Sequence, residues 1–319
     1  VKNFKMNQLL VIFNTCGINR ENPLGYSSHI NTILNQNFKD FHLCISSCMN
    51  SKYCTNFLIN QFGNFISYNQ IYDKLPISIT FNDSVEQCVN TFGEFEHYMF
   101  IDSGIDFSVS KNILQDLFNL HTSGPYAMTS ARTDDDMGLN DWFGTDMRGD
   151  SIFFNGHLVI PVGKAVNLHA QIFSKEIFKA YKKILPDIFA GQCMESVFSF
   201  MCAALKKKWI VHKDIILYHK TGMDGPSSGF SPVSWTMISG KPRWDHLFCT
   251  NETILNIINR GYEYGMGYEE IQNIVIHDKS KYDDDGYCIS EELKNYIKDN
   301  LYLNKNQFNY SKINRKFIK

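Results

Sequence analysis

Three short segments carry the side chains most able to do chemistry. HYMFIDSGID, residues 97–106, is an apolar run that empties into a carboxylate, Asp102, with Asp106 four residues further on. A carboxylate at the end of a buried strand lies where ligands gather. Its hard oxygens suit a divalent cation, Mn2+ or Mg2+, that bridges a diphosphate. The competing reading, equally open from this segment alone, is an Asp that caps the turn after the strand. LYHKTG, residues 217–222, places His219 and Lys220 at the end of a second apolar run and before a stretch rich in Gly, Ser and Pro. A neutral imidazole can ligate a metal, and a lysine can offset the charge of a leaving phosphate. GQCMES, residues 191–196, opens an apolar helix with Glu195. A carboxylate in a first helical turn is favourable whatever its function. Here it is also a candidate general base for deprotonating a hydroxyl.

The elements that must position these groups follow from the hydrophobic pattern. QLLVIFN at 8–14 is a continuous apolar run, as expected of a strand buried on both faces of a parallel sheet. A helix is expected at 24–36, a strand at 41–46, a helix at 53–63, a strand at 77–81 (ISITF), a helix from Val85 to Phe92 and a strand at 97–101. This alternation means α/β units and a mainly parallel sheet, whose ligands lie beyond the carboxyl ends of its strands. Asn14 and Thr15, Ser46 and Ser47, and Asp102 are expected to meet on that rim. Further on, a helix over 112–119, a strand at 126–131, strands or extended pieces at 152–154 and 157–162, helices at 174–184 and 194–207, and a strand pair or one bent strand at 209–218 are expected. Beyond about residue 245 the pattern changes to three helices (252–260, 267–277 and 290–300) and a basic stretch, 304–319, with no acidic residue. The domain organisation expected is therefore 1–240, with halves at 1–110 and 111–240, followed by a helical extension over 241–319.

The bulk composition excludes several classes. A net charge of −2 gives no broad basic surface for nucleic acid. Nine cysteines at irregular spacings, several inside apolar runs, fit buried thiols better than a disulfide framework. No segment is long enough to span a bilayer, and the apolar start ends in a polar turn without a cleavage pattern, so a cytoplasmic protein is expected. The basic C-terminal stretch, Lys305, Lys312, Arg315, Lys316 and Lys319, could touch an anionic membrane, but reads better as a frayed, solvated tail.

The order of these features resembles the GT-A glycosyltransferases, most closely the inverting family 2 type. LLVIFNTCG resembles that family's first strand, and INTILNQNFKDFHLCISS its helix, turn and second strand. HYMFIDSGID stands at the strand leading to the DXD metal motif, MESVFSFMCAALKKKWIV at the acceptor helix and its following strand, and IILYHK at the strand ending in a metal- or phosphate-facing His. The resemblance covers roughly residues 7–222. It implies a Rossmann-type sheet and transfer of a sugar from a nucleotide sugar, UDP-linked by preference, to a glycan or other hydroxyl acceptor. It assigns donor contacts to Asn14, Thr15, Ser46, Ser47, Asp102, Ser103, Gly104 and Lys220, metal contacts to Asp102, Asp106 and His219, and the base to Glu195. The chain departs from the pattern at Ser46-Ser47, where acidic residues are usual, at Gly104, where the second carboxylate of the DXD is missing, and at Glu195-Ser196, where an acidic pair is usual.

The polar stretch 132–151 reads as a long loop. Trp142 and Phe143 are candidates there for stacking on an acceptor sugar or, equally, for anchoring the loop, with Asp141 beside them as an acceptor contact. Asp134-Asp135-Asp136 has no strand beneath it and reads as solvated loop. Asp283-Asp284-Asp285-Gly286 fails as a calcium loop, because Lys281 falls at the first ligand position. Two further functions remain open. A sugar nucleotidyltransferase should carry a richer Gly and basic signature after the first strand than Gly17-Ile18-Asn19-Arg20. A non-catalytic sugar- or partner-binding relative would account for the missing carboxylate at Gly104.

Overall fold

The computed structural model describes residues 8–16, 21–73, 75–134, 152–160, 166, 168–187, 195–219, 302, 305–306 and 308–319. Four strands, β1 (Leu9–Cys16), β2 (Phe41–Cys48), β3 (Ile66–Ile71) and β4 (His97–Asp102), pair in parallel in the order β3-β2-β1-β4. Helices α1 (Pro23–Leu34), α2 (Lys52–Phe62) and α3 (Ile77–Phe92) connect them. After the two-residue β5 (Ile105–Asp106) come α4 (Ile113–Thr122), β6 (Tyr126–Thr133), β7 (Ile152–Phe154) and β8 (His157–Ile160). Then follow β9 (Ala170–Ser174), α5 (Lys175–Tyr181), α6 (Glu195–Ala204), β10 (Lys208–His219) and β11 (Arg315–Ile318). The full sheet runs β11-β3-β2-β1-β4-β9-β6-β10-β8-β7, with β5 paired to the end of β10. It is the expected α/β architecture, a mostly parallel sheet between helices.

Residues Leu9 to Phe13 are wholly buried, and alternate side chains enter two different cores. Leu10 and Ile12 pack with α3, α5 and α6, while Leu9, Val11 and Phe13 pack with α1, α2 and α4. At about 1.5–3 kcal/mol per buried aliphatic side chain, this one strand anchors both layers. Helix starts are fixed locally. Asn22 accepts from Gly25 N at 2.9 Å ahead of Pro23, and Ser51 accepts from Cys54 N at 3.1 Å.

The structure corrects three expectations. ISITF is the first part of α3, not a strand. Pro76 stands at the helix start, where its missing N–H costs nothing, and a short apolar run has no period of its own to distinguish strand from helix. The third parallel strand is instead ISYNQI, β3. Its polar side chains are buried and bonded, Asn69 to Asp83 (2.9 Å) and Ser84 (2.9 Å), and Ser67 to His42 (2.9 Å). The third correction is the C-terminal stretch. Rather than fraying into solvent, Arg315–Ile318 adds antiparallel to β3 and covers its edge. Tyr302 and Ile313 are buried in the core, and Arg315 reaches the buried Asp83 at 3.2 Å. The three helices expected over 252–300 lie outside the described residues. Cys44, Cys54, Cys88 and Cys202 are buried free thiols, and burial pushes Cys54 up to about 12.

Candidate functional site

Register brings the expected rim together. Asn14 lies directly beside Ser46 on one side and Asp102 on the other. Asp102 ends β4, and its N–H donates to the His169 carbonyl at 2.9 Å, which fixes the residue just ahead of β9 next to it. His219 ends β10 opposite Ile105, only three residues after Asp102. The carboxylate of Asp102 and the rings of His169 and His219 thus offer ligand atoms that all lie within 4.8 Å of one another, each residue half-buried. The two imidazole rings are 4.3 Å apart. Two histidines and one carboxylate suit Mn2+ and similar transition ions better than Mg2+, which prefers oxygen ligands.

Residues behind the cluster hold it in place. Buried His29 on α1 donates from Nδ1 to the Ser103 carbonyl at 2.6 Å, which pins the turn after Asp102. Asp134, at the end of β6, accepts from the His219 backbone N–H at 2.8 Å, and its own N–H donates to the Leu217 carbonyl at 3.0 Å. The Asp134 carboxylate, expected to be solvated loop, therefore braces the end of β10. His169 is the residue that sequence reasoning missed. Its signal was NLHAQIF, where a short apolar run of strand type follows a His.

Other expected residues stand elsewhere. Asp106 is buried and its Oδ1 accepts from Ser108 N at 2.8 Å, an internal turn bond, so it is not among the three clustered ligands. Ser46 and Ser47 are fully buried, with hydroxyls that donate inward to the Thr80 carbonyl (3.2 Å) and to Gln70 Oε1 (3.1 Å). These short side chains pack inside the sheet and present no hydroxyl at its rim. Thr15 takes part in a polar network over the same strand ends, accepting from Asn50 Nδ2 at 2.7 Å and donating to the Ser46 carbonyl at 3.4 Å. Tyr68 joins this network, and burial pushes its phenol up to about 12, so it remains a donor. Asn14 is 5% exposed, and among the described residues neither atom of its amide has a hydrogen-bond partner. Ser103 is buried, and Gly104 follows it in the turn. Glu195 is the first residue of α6, whose Phe198, Met201 and Cys202 pack into the core. Lys220, Asp141 and Trp142 lie outside the described residues.

The fold is of the GT-A type. The mannosyltransferase PcManGT from Pyrobaculum calidifontis, solved in complex with GDP-Man and Mn2+, superimposes with a TM-score of 0.50 at 9% identity, over 80% of this chain and 69% of that one. TarS of S. aureus, residues 1–349, is similar at a TM-score of 0.49 and 13% identity, covering 86% of this chain and 77% of its own. No protein-family model and no curated protein matches the sequence. Among the described residues no helix is long and apolar enough to cross a membrane.

Proposed function

We propose that the chain is a metal-dependent glycosyltransferase that moves a sugar from a nucleotide-diphosphate sugar to a hydroxyl acceptor, with inversion at the anomeric carbon. The observation that carries this reading is the Asp102–His169–His219 cluster at the carboxyl-end rim of a GT-A sheet. The missing carboxylate at Gly104 weighed toward a non-catalytic relative, but two imidazoles complete the ligand set without it. A divalent ion bound there would supply positive charge against the diphosphate of donor and leaving group. Asp102, His169 and His219 hold that position, and His29 and Asp134 keep it rigid. Asn14, between Ser46 and Asp102, offers one donor and one acceptor to the polar part of the donor. We assign Glu195, which opens the acceptor-side helix, as the base that takes the acceptor proton, and Lys220 as a counter-charge to the leaving phosphate. A UDP-sugar is the first donor to test, and a GDP-sugar the second. The reading places the reaction on the cytoplasmic side.

The test is thermal stability against UDP-, GDP-, CMP- and dTDP-sugars, each with and without Mn2+. One donor at about 100 times its dissociation constant should contribute about 2.7 kcal/mol and raise Tm by roughly 4 °C, and only with the metal present. No shift with any donor, or a shift of equal size without metal, would overturn the reading. A second expectation concerns Asn14. Its amide has no partner among the described residues, and replacing such a buried group with a side chain of similar size removes a desolvation cost of about 1–3 kcal/mol. Asn14→Leu is therefore expected to raise the Tm of the ligand-free protein and to weaken donor binding about tenfold (~1.4 kcal/mol) by titration calorimetry.

A further inference from the structure

A cleft of about 710 Å³ lies away from the cluster, between α4 and the middle of β10. Its walls carry Asp116 of α4, His157 at the start of β8, and His212 and Asp214 of β10, with Val109 and Ile216 as apolar patches. The two rings stand 4.6 Å apart at 64°. His157 Nδ1 accepts from the Lys213 N–H at 3.3 Å, and His212 Nδ1 accepts from the Asp214 N–H at 3.2 Å. In a neutral imidazole whose Nδ1 accepts, the proton is on Nε2. Burial, the first cause in both, holds the two pKa values below the usual histidine range, so both rings stay neutral near pH 7. The cleft thus presents two ring N–H donors and two carboxylate acceptors around apolar patches.

This donor–acceptor set bears on what the cleft takes. A metal would need the lone pair of Nδ1, which already accepts a backbone bond in each ring, or displacement of the Nε2 proton. A peptide added as a strand would need a regular edge, and β10 has none here. Its pairing with β6 shifts register between Val211 and Ile216, the irregularity that blunts strand addition. A hydroxyl-rich ring fits both features, since each hydroxyl donates and accepts while its C–H face covers apolar side chains. Ile216 (44% exposed) and Tyr218 (51%), alternate residues of β10, continue the exposed strip from the cleft toward His219. From His212 to His219 the strand covers on the order of 15 Å, because the irregularity takes up three residues, and that leaves room for about two or three linked sugars.

We propose that this cleft is a second carbohydrate site, which holds the distal part of an acceptor glycan whose near end lies at the Asp102–His169–His219 cluster. The proposal rests on the glycosyltransferase reading for the word acceptor, but glycan binding in the cleft is measured independently of transfer. The experiment screens the full chain on a printed array of linear and branched glycans. Hits are then titrated while the ring C–H signals of His157 and His212 are followed by NMR. At least one glycan is expected to shift both signals. The His157→Ala/His212→Ala double variant should weaken that glycan at least tenfold, and so should Asp116→Asn/Asp214→Asn, which keeps both rings. Metal-dependent donor stabilisation should be unchanged in both variants. No glycan moving either signal, full binding by both variants, or a strand-forming peptide binding there in place of glycans would each overturn the proposal. Loss of donor stabilisation in the unaltered chain, with glycan binding intact, would refute the transferase reading and leave the carbohydrate site standing.

Discussion

Asp102→Asn is expected to lower donor turnover about a thousandfold, roughly 4 kcal/mol of transition-state stabilisation, with the fold intact. Asp102 supplies the only carboxylate of the three clustered ligands, so this change leaves two neutral imidazoles to face a cation. The substitution keeps the size of the side chain and the backbone bond from Asp102 N–H to the His169 carbonyl. Its stability cost should accordingly be small. The check is single-turnover transfer across a Mn2+ titration, with circular dichroism as the folding control. Weaker metal affinity together with lost turnover is the expected pair of results. Turnover within a factor of a few of the unaltered protein would show that Asp102 is not the metal carboxylate. His29→Ala should give a milder version, about tenfold to hundredfold by the usual effect of residues that orient ligands, because it frees the turn at Ser103 without removing a ligand.

The second large effect concerns stability. Asp83 is fully buried beneath the C-terminal strand, where Asn69 Nδ2 donates to it at 2.9 Å and Arg315 Nη1 stands at 3.2 Å. Removing one member of such a pair strands the other in a low-dielectric interior, at about 3–5 kcal/mol. Arg315→Leu should therefore destabilise the protein by that amount at pH 8, measured by urea unfolding. Adding Asp83→Leu should restore most of it. The pH dependence has a definite sign. Burial, opposed by Asn69 and Arg315, raises the Asp83 carboxyl from 3.8 to about 6. The folded state then binds more protons than the unfolded state between those values. From this group stability falls as pH rises from about 4 to about 6, and levels off above. Without Arg315 the carboxyl should titrate higher still, so the Arg315→Leu deficit should be smaller at pH 5 than at pH 8. Equal deficits at both would mean that Arg315 acts by packing alone.

The legible parts of this chain were those where burial is continuous. LLVIFN and HYMFID announce strands because every residue is apolar and both faces are covered. Asp102 and His219 were visible because each follows such a run. What stayed hidden depends on tertiary bonding. β3 reads as polar because Ser67, Asn69 and Gln70 bond to partners distant in sequence, which composition cannot show. β11 looked like a tail because Arg315 counts as surface charge until Asp83 is found beneath it. His169 was missed for a related reason, since AQIFS is too short to stand out and its pairing with β4 and β6 is antiparallel. Ser46 and Ser47 were placed correctly at the end of β2, but the direction of their hydroxyls depends on Thr80 and Gln70.

The irregularity in β10 sets the phase of all that follows it. On β6 the partners advance from Ser130 to Arg132, two positions, while β10 advances from Val211 to Ile216, five, so β10 holds 5 − 2 = 3 additional residues. Three is odd, and the strand therefore leaves the irregularity with its two faces exchanged. Trp209 and Val211 point into the core of α3, α5 and α6, whereas Ile215 and Leu217, of the same parity, point into the opposite one. The phase depends on the number of residues at 212–214 rather than on their side chains, and that number can change only in steps of two. A change of one would send Leu217 to the wrong core and put His219 out of step with Asp102, so the metal cluster depends on the length of this short stretch.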